Sequence, residues 1–162
     1  MKITNKKYNI SNKLNKKIVL ISDIHYSDKN DIKRLNKVLD NIRRINPNYI
    51  CISGDTMDTY NVLDFNLLKE WLIKLSNISK IIMVLGNHEF YLDRKHDKYK
   101  LNEENIKQIK EIDNLYFLDN QNKIIDNINF IGLTLPIDHY MEKNENKEDF
   151  KKYIKNIKVK DI

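Results

Sequence analysis

At 162 residues, the chain is long enough to bury one hydrophobic core and too short for two domains to be expected. It is slightly less hydrophobic (41%) and more charged (32%) than an average globular protein. The formal net charge of +6 suits an anionic substrate. The lysines alternate with Asp and Glu, however, which favours a solvated surface over a patch that binds nucleic acid or a membrane.

Cys51 is the only cysteine, which excludes an intrachain disulfide and favours a reducing cytoplasm. Residues 1–17 lack the apolar core of a signal peptide, and no apolar run is long enough to cross a bilayer. We therefore expect a soluble cytoplasmic protein.

Short apolar runs alternate with segments of helical periodicity in the first half of the chain. The continuous β-branched run at 18–21 predicts a strand buried on both faces, and the runs at 49–52 and 81–85 predict two more strands. The first helical segment, capped by Asn30 or Asp31 and stopped by Pro47, carries its apolar residues at Ile32, Leu35, Val38, Leu39, Ile42 and Ile45. The second carries Leu63, Leu67, Leu68, Trp71, Leu72 and Leu75. This order predicts a largely parallel sheet with right-handed crossovers, the βαβαβ core of an α/β fold flanked by helices.

The second half of the chain predicts smaller elements. A third helix begins at Asn102 and turns Ile106, Ile109 and Ile112 inward. Shorter strands are predicted at 115–118, 123–125 and 128–133, and the Asp-Asn turn signals between them make some of them antiparallel. A last amphipathic helix would carry Phe150, Ile154 and Ile157.

Polar clusters follow each of the first three predicted strands directly. These clusters are Asp23 and His25, then Gly54, Asp55 and Asp58, then Gly86, Asn87, His88 and Glu89. The carboxyl ends of parallel strands meet at one edge of a sheet, where open α/β sheets bind ligands. Carboxylates that converge there would repel one another, and a divalent cation such as zinc, manganese or iron would resolve that repulsion.

The three motifs Asp23-x-His25, Gly54-Asp55-Thr56-Met57-Asp58 and Gly86-Asn87-His88-Glu89 together resemble those of the calcineurin-like metallophosphoesterase superfamily. The resemblance extends from about residue 18 to residue 133. It implies a metal-dependent hydrolase of phosphomonoesters or phosphodiesters with two divalent ions, Mn, Fe or Zn. It also implies that a water bridging two ions about 3.5–4 Å apart becomes the hydroxide nucleophile.

The resemblance further implies a role for each matching side chain. Asp23 and His25 would hold the first metal, Asp55 would bridge both metals, and Asn87 would bind the second. His88 would stabilise charge and protonate the leaving oxygen. Asp58 would hydrogen-bond His88 and fix its tautomer. Gly86 would ease the turn that leaves the third strand.

Each of these residues also has a plainer structural interpretation. Asp23, Asp55 and Asn87 could be turn residues, and Asp58 could cap the following helix. Glu89 is expected to serve its loop, His96 and His139 to lie on the surface, and Trp71 to lie in the core. The joint placement of the motifs is what favours the functional interpretation.

The sequence departs from the family in its histidines. The resemblance implies three further histidines, two of them in a Gly-His-x-His motif, but this chain has four histidines in all and no Gly-His pair. We therefore expect the second metal site to be incomplete and residues 1–162 to form a single domain that is truncated relative to the family.

The sequence is compatible with three functions. The first is a phosphoesterase that acts on a small phosphoester. The second is an inactive or split fragment that binds at most one metal well and is completed by self-association or by a C-terminal fragment. The third is a nuclease, which is less expected because the dispersed lysines form no basic groove with aromatic residues.

Overall fold

The computed structural model describes residues 15–26, 32–57, 62–90 and 101–133. Within these ranges the strands are β1 (Ile18–Ile21), β2 (Tyr49–Ile52), β3 (Lys80–Met83), β4 (Leu115–Phe117), β5 (Gln121–Ile125) and β6 (Ile128–Gly132). The helices of the described residues are α1 (Ile32–Ile45), α2 (Val62–Ser76), α3 (Asn87–Phe90) and α4 (Glu103–Lys110). The helix predicted around Phe150, Ile154 and Ile157 lies outside the described residues.

The first four strands form one parallel sheet in the order β1-β2-β3-β4. Ile18 is in register with Tyr49, and Ile52 is in register with Met83. The predicted α/β class and parallel sheet are therefore confirmed. The strand predicted at 115–118 extends this sheet as β4.

Helices α1, α2 and α4 cover one face of the sheet with their apolar stripes. Trp71 is buried in this layer, as predicted, and its indole N–H donates to the carbonyl oxygen of Leu35 at 3.3 Å. The start predicted for α4 is also confirmed. The Asn102 side chain accepts from the Asn105 amide at 2.8 Å, and the Asn105 side chain accepts from the Asn102 amide in return.

The antiparallel hairpin of β5 and β6 packs on the opposite face of the sheet. A second small core there contains Tyr49, Ile82, Leu118 and Ile125. Asp126, in the turn of the hairpin, accepts from the Tyr49 hydroxyl at 2.9 Å and from the Lys80 ammonium at 2.6 Å. The hairpin is thus attached to the amino-terminal ends of β2 and β3.

The prediction that β1 is buried on both faces is wrong. Ile18 is 52% exposed and Leu20 is 70% exposed, whereas Ile21 is buried. Among the described strands, β1 lies at one edge of the sheet. The second core contains residues of β2, β3 and the hairpin, and none of its described members comes from β1. A continuous apolar run identifies a strand but does not specify how many of its faces are covered.

None of the helices in the described part of the chain is long and apolar enough to cross a membrane.

Candidate metal centre

The loops that follow β1 and β2 continue the parallel pairing beyond the strands themselves. The amide of Asp23 donates to the Gly54 carbonyl at 3.3 Å, that of His25 to the Asp55 carbonyl at 3.1 Å, and that of Tyr26 to the Thr56 carbonyl at 3.0 Å. These bonds bring the Asp23–His25 segment alongside Asp55 at the carboxyl edge of the sheet.

Three residues of this edge adopt the left-handed backbone region that non-glycine residues rarely occupy. The φ angles are 54° at Asp23, 46° at His25 and 52° at Asp55. Each such conformation costs on the order of 1–3 kcal/mol and persists only where the surroundings enforce it. Asp and His adopt this region more readily than most residues, and six described Asn and Asp residues elsewhere in the fold share it, so the conformation directs these side chains but does not by itself mark a functional site.

Two glycines allow the loop after β2 to contact the loop after β3. A Cβ atom on Gly54, whose φ is 93°, would lie 2.1 Å from the Gly86 nitrogen. A Cβ atom on Gly86 would lie 2.4 Å from the Asp55 nitrogen. Gly86 has no left-handed φ, so its role is to admit Asp55 at close range and not to ease a turn as predicted.

The side chains of the three loops converge on the space above this contact. The Nε2 atom of His25 lies 3.9 Å from Oδ1 of Asp23 and 3.9 Å from Oδ2 of Asp55. The rings of His25 and His88 meet edge to face with their centroids 4.4 Å apart. The other Asp55 oxygen, Oδ1, accepts from the backbone amide of His88 at 3.0 Å.

This spacing fits a shared cation. Two atoms that each lie about 2.0–2.2 Å from one ion are at most about 4.4 Å apart. The 3.9 Å separations are within that limit and too long for hydrogen bonds. One potential ligand atom each of His25, Asp55 and His88 also lies within 4.8 Å of the others, a bound slightly wider than this limit, so His88 borders the same space. Imidazole and carboxylate ligands together suit a first-row divalent ion.

Four of the six predicted site residues therefore come together: Asp23, His25, Asp55 and His88. Asp23 is 66% exposed and sits at the rim, where the Ser22 hydroxyl donates to its carboxylate. Asn87 begins α3, but its side chain is outside the described part of the structure. Asp58, His96 and His139 lie in segments that the structure does not describe.

Sequence reasoning missed one residue that supports the site. Arg34 of α1 donates from Nη2 to the carbonyl oxygens of Ile24 at 2.5 Å and His25 at 3.0 Å. Arg34 therefore fixes the backbone of the loop that follows β1. The periodicity of α1 marks Arg34 as a polar helix position and carries no signal for this contact.

The sequence model of the family described as calcineurin-like phosphoesterase matches residues 16–160. The chain belongs to this family, whose members are metal-dependent phosphoesterases, and the predicted resemblance is confirmed. No curated protein matches the chain significantly in sequence.

Proposed function

We propose that this chain is a single metallophosphoesterase-like domain that hydrolyses small phosphoesters with divalent metal ions. The observation that carries the proposal is the convergence of Asp23, His25, Asp55 and His88 from the ends of three adjacent parallel strands. This geometry occurs in a chain that belongs to a metal-dependent phosphoesterase family.

In this proposal the ligands of the first ion are Asp23, His25 and Asp55. Asp55 also contributes to a second ion, together with Asn87. Manganese, iron and zinc all accept this mixture of oxygen and nitrogen ligands. When bound, such ions polarise the phosphoryl group and lower the pKa of a bound water.

His88 acts on the substrate rather than as a ligand in this proposal. Its ring lies against that of His25, so it reaches the space in front of the carboxylates. It would stabilise charge on the phosphoryl group and donate a proton to the leaving oxygen. Asp58 would orient the His88 ring by accepting its other N–H.

The substrate in this proposal is a phosphomonoester or a phosphodiester of small size. The net charge of +6 attracts an anion of this kind over a distance. The dispersed lysines do not favour a nucleic acid. The single cysteine favours a cytoplasmic location.

The second candidate function is a module that binds one metal ion and has no turnover. It is favoured by the ligand count, because the second ion would be held by Asp55 and Asn87 and by none of the further histidines that the resemblance implies. In the split form of this candidate, the chain alone has no turnover, and self-association or a complementing fragment would supply the remaining ligands.

Hydrolysis of bis(p-nitrophenyl) phosphate with added Mn²⁺ tests the proposal. We expect turnover by the wild type, its abolition in Asp55→Asn, and a loss of about 10²–10⁴-fold in His88→Ala, because general acid catalysis contributes that much. Asp40→Asn, an exposed position on α1, is the matched control and should retain full activity.

The outcomes separate the two candidates. Wild-type chain that binds Mn²⁺ but releases no nitrophenol would favour the one-metal module. Turnover that survives both substitutions would contradict the catalytic roles of Asp55 and His88.

A further inference from the structure

Glu89 is a buried carboxylate that sits between the two loops carrying Asp55 and His88. It is 1% exposed, although it follows His88 directly on the one-turn helix α3. A carboxylate that is removed from water must be compensated by hydrogen bonds or by opposite charge. The contacts of Glu89 show how this is achieved.

Each oxygen of Glu89 accepts two hydrogen bonds. Oε2 accepts from the amides of Asp55 at 2.9 Å and Gly86 at 2.6 Å. Oε1 accepts from the amide of Thr56 at 2.9 Å and from its hydroxyl at 2.8 Å. These four bonds match the acceptor capacity of an ionised carboxylate.

Hydrogen bonds fix both the backbone and the side chain of Asp55. Its amide is held by Glu89, and its Oδ1 accepts from the amide of His88, the neighbour of Glu89. This arrangement enforces the left-handed φ of 52° at Asp55 and leaves Oδ2 facing His25. The backbone position and the side-chain direction of Asp55 therefore both depend on the placement of Glu89.

We propose that Glu89 is a positioning residue of the metal centre, which sets the affinity for the ion by fixing Asp55 relative to His25 and His88. The proposal rests on the proposed function. In this role Glu89 itself would touch neither metal nor substrate, because each of its oxygens already accepts two hydrogen bonds.

Glu89→Gln is the informative substitution, because it keeps the size of the side chain and removes half of its acceptors. The new NH₂ group would face two hydrogen-bond donors. We expect Mn²⁺ affinity, measured by isothermal titration calorimetry, to fall about 10–100-fold, the range typical for residues that support metal ligands. Glu70→Gln, at an exposed position of α2, is the control and should bind Mn²⁺ as the wild type does.

Thr56→Val is the second variant, in case Glu89→Gln does not fold. It deletes one of the four hydrogen bonds and leaves the backbone donors in place. We expect a smaller loss of Mn²⁺ affinity. Wild-type affinity in folded Glu89→Gln, or in Thr56→Val if only that variant folds, would overturn the proposal even if the melting temperature fell.

NMR of the metal-free chain distinguishes a failure of the positioning role of Glu89 from a failure of the proposed function. We expect Glu89→Gln to move the ring resonances of His25 and His88 as well as the amide resonances of Asp55 and Gly86. Unmoved ring resonances would overturn the positioning role. If Glu89→Gln moves the ring resonances but the wild-type chain binds no Mn²⁺, the proposed function is overturned and the positioning of these side chains stays supported.

Discussion

Gly86 lies so close to Asp55 that a methyl group at this position has no space. A Cβ atom would sit 2.2 Å from Oδ1 of Asp55 and 2.4 Å from its nitrogen, so the two loops would have to separate. We expect Gly86→Ala to lower the free energy of unfolding by about 1–3 kcal/mol, the usual cost of overpacking.

Urea unfolding measures this change, and Mn²⁺ titration of the folded variant should show weaker binding. Ser53→Ala, at an exposed position of the neighbouring loop, serves as the control. A Gly86→Ala protein as stable as the wild type would contradict the close contact.

At the level of single residues, strand order was enough to predict that Asp23, His25, Asp55 and His88 converge. Each follows a strand, and parallel strands bring their carboxyl ends to one edge. Glu89 was predicted to serve its loop, but its hydrogen bonds to the loop after β2 and the support from Arg34 could not be predicted. They depend on left-handed φ values at non-glycine residues, which sequence spacing does not encode.

At the level of elements, the hairpin of β5 and β6 is attached to the sheet by a charged network. The hydrogen bonds from Lys80 and Tyr49 hold the pKa of Asp126 below its usual value of 3.8. The bond to Asp126 in turn raises the pKa of Lys80, and burial raises the pKa of Tyr49. The ionised Asp126 therefore stabilises the fold above pH 3.8, and this contribution is lost as the pH falls through the lowered pKa.

We expect Asp126→Asn to be less stable than the wild type near neutral pH, with the difference shrinking in acid. It should also shrink in alkali, as the pH rises through the raised pKa values of Tyr49 and Lys80. Urea unfolding at several pH values measures this, with the exposed Asp119→Asn as the control. A difference that stays constant from acid to alkaline pH would contradict the network.

The longer helices could be predicted from the sequence, whereas the shortest helix and the start of β5 could not. Periodicity located α1, α2 and α4, because each has an apolar stripe. It missed α3, a single turn of four residues with no stripe to detect. Strand β5 also begins two residues earlier than predicted, at Gln121, in a stretch whose polar residues gave no strand signal.

At the level of the whole molecule, the parallel sheet could be predicted from the alternation of strands and helices. The position of β1 at an edge of the described sheet could not be predicted, because the run at 18–21 has the residue types of a central strand. The exposed Ile18 and Leu20 are the physical consequence. Family membership was predictable because it depends on motif order, which the sequence displays directly.

We predict that the carboxyl edge of this sheet holds a divalent ion through Asp23, His25 and Asp55. The most direct measurement is the stoichiometry of tight Mn²⁺ binding, by calorimetry together with the metal content of the purified chain. We predict one tightly bound ion per chain, lost in Asp55→Asn. Binding of no ion, or undiminished binding by Asp55→Asn, would contradict the claim, and two tight ions would contradict the incomplete second site.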